Sequence, residues 1–489
     1  MGIVLKQSFI NTIILFLGFA IGGINVLFLF THFLQEDYFG LITFLLSTAN
    51  IILPLLVFGM QHSVIKYYSS YLTKIEQDGF LISTLFIPLV VIIPLGLISA
   101  YLYEVIATWV SSENPLIKNY TWLIFLVAIF MGYFEVFYSW TKVKFNSVFG
   151  NFVKEIFARV CTSFLLFAVY FQWLTNEQFI YAIVIVYGIR TLIMKLYAFY
   201  ICKPSLIFKF PSNIKEILSF SLYIIVAGSA AGVLLEIDKF MIPQMEQIAQ
   251  VAYYSVGIYI ASVVAIPTRA MQQITTSITA KDMNENNMIE VENLYKQTSI
   301  NLLIIGGLLF LLINLNISDL YEIINKPQFT NGIWIVLIIS AAKLMELALG
   351  TGNSILVNSK FYKIFFYISI AMAISVILLN KWLINLIGIN GAAIATLIVV
   401  VVYSFFKIIY IEMKLKIQPF SIQTIKIVVV VLVMFTSFYF WNFSFHPIVN
   451  IVLKSIIVGI LYLFLIKKLR ISKDINSLLS RYLGLKQVK

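Results

Sequence analysis

LLEIDKFMI (residues 234–242) ends one long apolar run, and VGIYIASVVAIP (256–267) carries the next. Together, residues 217–267 hold two stretches of membrane-grade sequence, with Glu236, Asp238 and Lys239 set into the end of the first. A charge at the centre of a membrane span costs about 2.5–3.5 kcal/mol on insertion scales, so charges at that depth are functional candidates by default. The competing reading places the three charges at the outer end of the span, where they reach headgroup water.

The rest of the chain has the same character. Of its 489 residues, 61% are hydrophobic and 11% charged, against roughly 45–50% and 25% in ordinary soluble domains. No polar block is long enough for a separate soluble domain. A hydrocarbon core of about 30 Å needs roughly 20 apolar residues per helix. That rule predicts an all-α polytopic membrane protein with about fourteen transmembrane helices, at 10–33, 39–61, 80–102, 119–140, 155–173, 178–201, 217–238, 247–268, 297–315, 333–356, 363–381, 388–410, 425–442 and 447–466. Only Lys6 precedes the first run and no small-residue cleavage site follows, so that run is expected to be retained as a span. Cys161 and Cys202 offer neither a disulfide framework nor a metal cluster, and no cofactor is expected.

The net charge of +12 is explained by its distribution. Lys118, Lys239, Lys326 and Lys381 fall on one face and Arg159, Arg190, Lys343 and Lys454 inside spans, which leaves 26 of the 34 basic residues on the opposite face. Under the positive-inside rule that face is cytoplasmic and holds both termini. The basic surplus then meets anionic membrane lipids rather than nucleic acid. Trp140, Trp173, Trp382 and Trp441 fall at predicted span ends, as in an aromatic belt.

A shift of 213 residues superposes Pro54 on Pro267 and Asn25 on Asp238, which suggests parallel six-span repeats. The expected organisation is an N-terminal lobe at 1–203, a cytoplasmic linker at 204–216 marked by Pro204 and Pro211, and a C-terminal lobe at 217–412. Spans 13 and 14 follow at 413–466. A basic cytoplasmic tail closes the chain at 467–489, with Ile475, Leu478, Leu479 and Tyr482 spaced as on an interfacial helix.

Enzymatic constellations are absent. His32, His62 and His446 lie near different span ends, and no nucleophile elbow or phosphate loop occurs. The intramembrane charges carry the functional reading. Arg190 and Lys343 fall near the bilayer midplane. Lys343 and Glu346 are i,i+3 and suited to pair. Arg190 has no acid on its own span, so it either bridges to Glu135 or faces a ligand. His62, Lys66 and Arg269 form a basic rim at the cytoplasmic end, or simply anchor the spans there.

Four stretches in order also resemble the polysaccharide and O-antigen flippase branch of the multidrug/oligosaccharidyl-lipid/polysaccharide exporter superfamily. EDYFGLITFLL (36–46) leads into FGMQHSVIKYYSSY (58–71). LLEIDKFMI is similar to that family's seventh-span ending, VGIYIASVVAIP to its eighth span and GINGAAIAT (388–396) to its twelfth. Pro243 departs from the pattern, where glycine is commoner. The resemblance implies two six-helix, MATE-like lobes around a central cavity with two further helices. It implies a monomeric bacterial inner-membrane flippase, not an enzyme, that moves a polyprenyl-pyrophosphate-linked oligosaccharide by alternating access, with H+ or Na+ as a coupling ion. Arg190, Lys343, Arg269, Lys66 and His62 are the candidates for the anionic headgroup. Asp238, Glu236, Lys239, Asn25, Glu346 and Glu135 are the candidates for gating or coupling. A drug/cation antiporter of the same superfamily would favour cavity carboxylates. A membrane glycosyltransferase or polymerase would need a larger outer loop than YEVIATWVSSENPLIKNY (103–120).

The charge bias has a direct test. With Cys161 and Cys202 replaced, single cysteines at 113 or 177 should react with an impermeant thiol reagent from outside the cell. Cysteines at 284 or 360 should react only after the membrane is opened; outside labelling at 284 would reverse the orientation.

Overall fold

A computed structural model describes residues 2–205, 211–441, 443–472 and 474–476. Long helices dominate it, and among the described residues there is no strand. In chain order they are α1 (Gly2–Ile24), α2 (Glu36–Leu56), α3 (Lys74–Tyr101), α4 (Thr121–Val143), α5 (Ala158–Tyr170), α6 (Asn176–Cys202) and α7 (Ile214–Met241). The series continues with α8 (Ala249–Ser262), α9 (Met288–Asn314), α10 (Ile333–Ala348), α11 (Tyr362–Ile387), α12 (Ile389–Leu415), α13 (Ile422–Tyr439) and α14 (Pro447–Lys468). Twelve segments are long and apolar enough to cross a membrane; α5 is not among them, and α7 includes residues 226–231, whose side chains lie outside those described.

The chain is therefore an all-α, multi-pass membrane protein, close to the expected fourteen spans. α5 falls short because its own helix has 13 residues and is reached through Val148–Phe152 and a π-turn, Val153–Phe157. Lys154, Glu155 and Arg159 interrupt its apolar run. α7 is 28 residues long, or about 42 Å at 1.5 Å per residue, and carries charge at both ends.

Local chemistry sets several helix ends. Thr175 starts α6 with a capping box: its hydroxyl accepts from the Gln178 amide at 3.2 Å, while its own amide donates to Gln178 Oε1 at 2.9 Å. Both orphan donors are thereby satisfied. Past Pro54, α2 gives way to a short helix, Met60–Tyr67, through Phe58 and Gly59, both at positive φ (49° and 61°). Below α3, burial pushes the Tyr71 hydroxyl up to about 12. It stays protonated and donates to Asn213 Oδ1 at 2.6 Å.

Two compact units, residues 1–255 and 256–489, are distinct. In the first, α4 packs against α2 and α6, and α7 packs extensively on α2. The unit therefore extends past the linker expected at 204–216, whose residues 206–210 lie outside those described. Its core joins Met60, Phe80, Phe134, Trp140 and Met194. In the second unit α12 packs on α10 and α11, and α9 packs on α10 and α13. Its core joins Leu302, Leu311, Leu347, Val431 and Tyr462. GINGAAIAT opens α12, with Ala392, Ala393 and Ala395 fully buried. Large apolar side chains such as Val90, Leu97, Phe164 and Leu196 point outward; a surface this apolar needs lipid against it. Of the expected tail helix, Leu478, Leu479 and Tyr482 lie outside the described residues.

The turn from α7 into α8 is clasped within the first unit. Buried Asn114 donates through Nδ2 to the carbonyls of Pro243 (2.7 Å) and Glu246 (2.8 Å), and its Oδ1 accepts from the Ile248 amide at 2.9 Å. On α2, a Cβ at Gly40 would stand 2.0 Å from the Ile248 carbonyl oxygen. Only glycine lets α2 come this near, because the obstacle is backbone. Gly40→Val should therefore destabilise the protein by about 1–3 kcal/mol or more, the range for overpacking a tight contact. Thermal unfolding in detergent reads this out, and an unchanged midpoint would mean that the contact is not held in solution.

Candidate intramembrane charge site

The first unit gathers charge among its helices. Arg190 lies 14 residues into α6, about 21 Å along it at 1.5 Å per residue, and Glu135 lies 14 residues into α4. The π-turn before α5 supplies Lys154 and Glu155, and Arg159 follows in the first turn of α5. π-turns occur mostly as single insertions in α-helices and often at functional sites.

Their pairing is specific. Lys154 Nζ meets Glu135 Oε1 at 2.6 Å, and Arg159 Nη1 meets Glu155 Oε2 at 2.7 Å. Arg190 is buried, 7% exposed. Its guanidinium carbon lies 4.2 Å from the centre of the Phe134 ring and 4.8 Å from that of Tyr187. Among the described residues it has no carboxylate within ion-pair distance, and its Nε has no hydrogen-bond partner. Glu135, Glu155 and Arg159 are near enough to act on it electrostatically. The two open alternatives for Arg190 are thus separated: Glu135 is held by Lys154, and Arg190 rests on aromatic faces. Such cation–π contacts are worth ~2 kcal/mol or more when desolvated, but they leave the guanidinium's positive charge in place. Three cations against two carboxylates give this cluster a net charge of +1.

The other candidates are placed as follows. Asp238 is buried, 4% exposed, and accepts a hydrogen bond from the Tyr254 hydroxyl. It is thus enclosed by protein rather than turned to headgroup water. Glu236 and Lys239 pair with each other at 2.8 Å. Buried Asn25 sits in a π-turn (Asn25–Leu29), donates to the Arg159 carbonyl at 2.8 Å and accepts from Ser163 Oγ at 2.6 Å. It fastens α1 to α5. Lys343 and Glu346 form the expected i,i+3 pair at 3.0 Å in the second unit. His62 and Lys66 are exposed on the short helix Met60–Tyr67. Lys66 Nζ lies 3.7 Å above the Phe220 ring. Arg269 is in the helix Ile266–Asn284, and its side chain lies outside what is described.

Sequence reasoning did not single out Lys154, Glu155 and Lys407 as members of charge sites. The signal for the first two was the i,i+4 spacing of Glu155 and Arg159 inside the fifth run. Lys407, counted with the cytoplasmic face, is 8% exposed, donates to Asn353 Oδ1 at 3.1 Å and lies 5.3 Å from the centre of the Phe365 ring. Its position three residues before the end of the twelfth predicted span was the available clue. Lys454 is enclosed in α14 and donates to the Leu315 carbonyl at 2.9 Å, which ties α14 to the end of α9.

No family model matches the chain, and no curated protein matches it. Solved structures do. The chain is similar to the lipid II flippase MurJ in its inward closed conformation, with a TM-score of 0.73, 14% identity and coverage of 97% of this chain and 99% of that one. An inward-facing multidrug resistance MATE family transporter of the MOP superfamily gives a TM-score of 0.58 at 14% identity, covering 83% of this chain and 94% of that one. A MOP superfamily transporter from Pyrococcus furiosus, described by the reversed polarity of its binding pocket, gives 0.56 at 13% identity, covering 84% and 94%. At these identities the likeness establishes the fold: a helical membrane architecture shared with MurJ and MATE transporters.

The Glu135–Lys154 pair yields a test of the cluster. Glu135→Gln should lower thermal stability in detergent by leaving a membrane-depth ammonium without its partner. Adding Lys154→Gln should recover much of the loss, with a coupling energy of about 1–3 kcal/mol in the double-mutant cycle. Additive losses would show that the two side chains are not paired.

Proposed function

We propose that this protein is a flippase that moves a polyprenyl-pyrophosphate-linked oligosaccharide, such as an O-antigen or exopolysaccharide repeat unit, across the bacterial inner membrane by alternating access. The observation that carries this reading is the surplus positive charge at membrane depth. Glu135 and Glu155 are each neutralised by a basic neighbour, and Arg190 is left over. A pyrophosphate headgroup is at least doubly anionic and cannot cross hydrocarbon alone. A guanidinium presents a planar fork of donors that matches phosphate oxygens. Outward movement of anionic charge is also favoured by an inside-negative potential, by about 2.3 kcal/mol per charge per 100 mV.

Two further features support it. The second unit carries an apolar cavity of about 730 Å³ lined by Leu303, Phe310, Leu344, Phe405, Phe420 and Val431 among others. This lining, at the packing of α9, α10 and α13, suits an isoprenoid chain. The likeness to the lipid II flippase also spans nearly the whole chain, whereas the MATE transporters cover 83–84% of it. A drug/cation antiporter is the alternative. It calls for unpaired carboxylates at depth, where this cluster offers an unpaired cation. Asp238 and Glu346, each already engaged, remain the candidates for a coupling site for H+ or Na+.

In proteoliposomes, the wild type should translocate a polyprenyl-pyrophosphate-linked oligosaccharide. Arg190→Ala should reduce the rate at least about tenfold, with Arg190→Lys retaining part of it because a point charge replaces a fork. Transport of an organic cation such as a rhodamine dye, with no movement of the lipid-linked sugar, would establish the antiporter instead.

A further inference from the structure

We propose that Arg159 is a second anion-binding arm of the same site and that the carboxylate of Glu155 occupies it until the anion arrives. The inference rests on the flippase reading and assigns the headgroup a second protein ligand, one residue pair beyond Arg190.

The backbone at 159 is fixed. Asn25 Nδ2 holds the Arg159 carbonyl at 2.8 Å, and Ser163 Oγ closes the link to Asn25 Oδ1 at 2.6 Å. The π-turn of α1 that carries Asn25 packs on α5, while the π-turn ahead of α5 packs on α1. Between them Gly18 leaves a slot. A Cβ there would stand 2.7 Å from Arg159 Nη1 and 2.8 Å from the Glu155 carbonyl oxygen.

The side chain, by contrast, is lightly held. Among the described residues both of its hydrogen bonds use Nη1 alone, one to Glu155 Oε2 and one to the Glu155 carbonyl, each at 2.7 Å. Nε and Nη2 have no hydrogen-bond partner among the described residues, and the side chain is 34% exposed. Arginine has five N–H donors, so most of its fork is open. A carboxylate on one edge of a guanidinium makes the same charge-assisted bond that a phosphate oxygen makes there. Glu155 is thus a built-in competitor on the same helix, one turn away. It keeps a membrane-depth cation neutralised when no anion is present and yields when a doubly charged headgroup arrives. Tyr187, whose ring carries the Arg190 guanidinium, also lies within electrostatic range of both Arg159 and Glu155. The two arginines therefore bear on one region.

The test is binding of farnesyl pyrophosphate to the purified, detergent-solubilised full chain, with inorganic pyrophosphate and farnesyl monophosphate as comparators. Glu155→Gln should tighten farnesyl pyrophosphate binding by about three- to tenfold by removing the competitor, and Arg159→Ala should weaken it by about tenfold or more, with Arg159→Lys between. Equal tightening for inorganic pyrophosphate would identify the headgroup alone as the ligand; tightening confined to the farnesyl compound would identify the lipid. A purely structural pair would instead lower the thermal midpoint in Glu155→Gln and leave affinity unchanged, which would overturn the proposal. If Arg159→Ala does not purify as a single species, the sign of the Glu155→Gln effect still decides. Loss of binding in Arg190→Ala with no change in either Glu155→Gln or Arg159→Ala would remove this inference and leave the flippase reading standing. No binding by the wild type would remove both.

Discussion

A charge in hydrocarbon must be answered by another group, and the interior of this protein is arranged around that requirement. Several charges among the described residues of the first unit have an identifiable neighbour. Lys154 answers Glu135, Glu155 answers Arg159, and Lys239 answers Glu236. Arg190 rests on aromatic faces, with no ion-pair partner among the described residues. Removing one partner from a buried pair is far more costly than never having had the pair, because the remaining charge is left without compensation. The Glu135–Lys154 pair therefore constrains which helices can separate, and within this cluster Arg190 is the cation left without an ion-pair partner among the described residues.

The spans were readable because their signal is local. Twenty apolar residues in a row satisfy their own backbone only as a helix, and twelve segments show that pattern outright. α5 was harder for the same reason. Its helix is broken by a π-turn, and its charges sit at i,i+4, a spacing as typical of a solvated surface helix as of an intramembrane pair. Lys343 and Glu346 were foreseen as partners because their spacing alone brings them together. The partner of Glu135 was not. Its nearest candidate by span order was Arg190, but its actual partner lies 19 residues along the chain on another helix, and no periodicity encodes that choice.

The unit boundary shows the same limit. Pro204 and Pro211 mark a break in the helical pattern, and the chain does leave helix there. Yet α7, beyond the break, packs on α2, and Asn114 and Gly40 seat the turn that follows it. Punctuation in the sequence reports where helices end. It does not report which helices share a core, because that depends on shape matches such as Gly40 against a carbonyl.

Two kinds of pairing then have different mechanical meaning. Lys239–Glu236, Arg159–Glu155 and Lys343–Glu346 each lie on one stretch of helix, so they travel with it and are indifferent to sliding between helices. Glu135–Lys154, Tyr254–Asp238, Tyr253–Glu36 and the three hydrogen bonds of Asn114 join separate elements. Any rearrangement of α2, α4, α5, α7 or α8 must keep these cross-links or exchange them for others of similar strength. A same-helix pair can instead surrender its cation to a passing anion without moving a helix at all. Charge that must stay available to a ligand is best stored in such local pairs, and charge that must hold helices together is best placed across them. The first unit of this protein places one of each kind, Arg159–Glu155 and Glu135–Lys154, close enough to Arg190 to act on its charge.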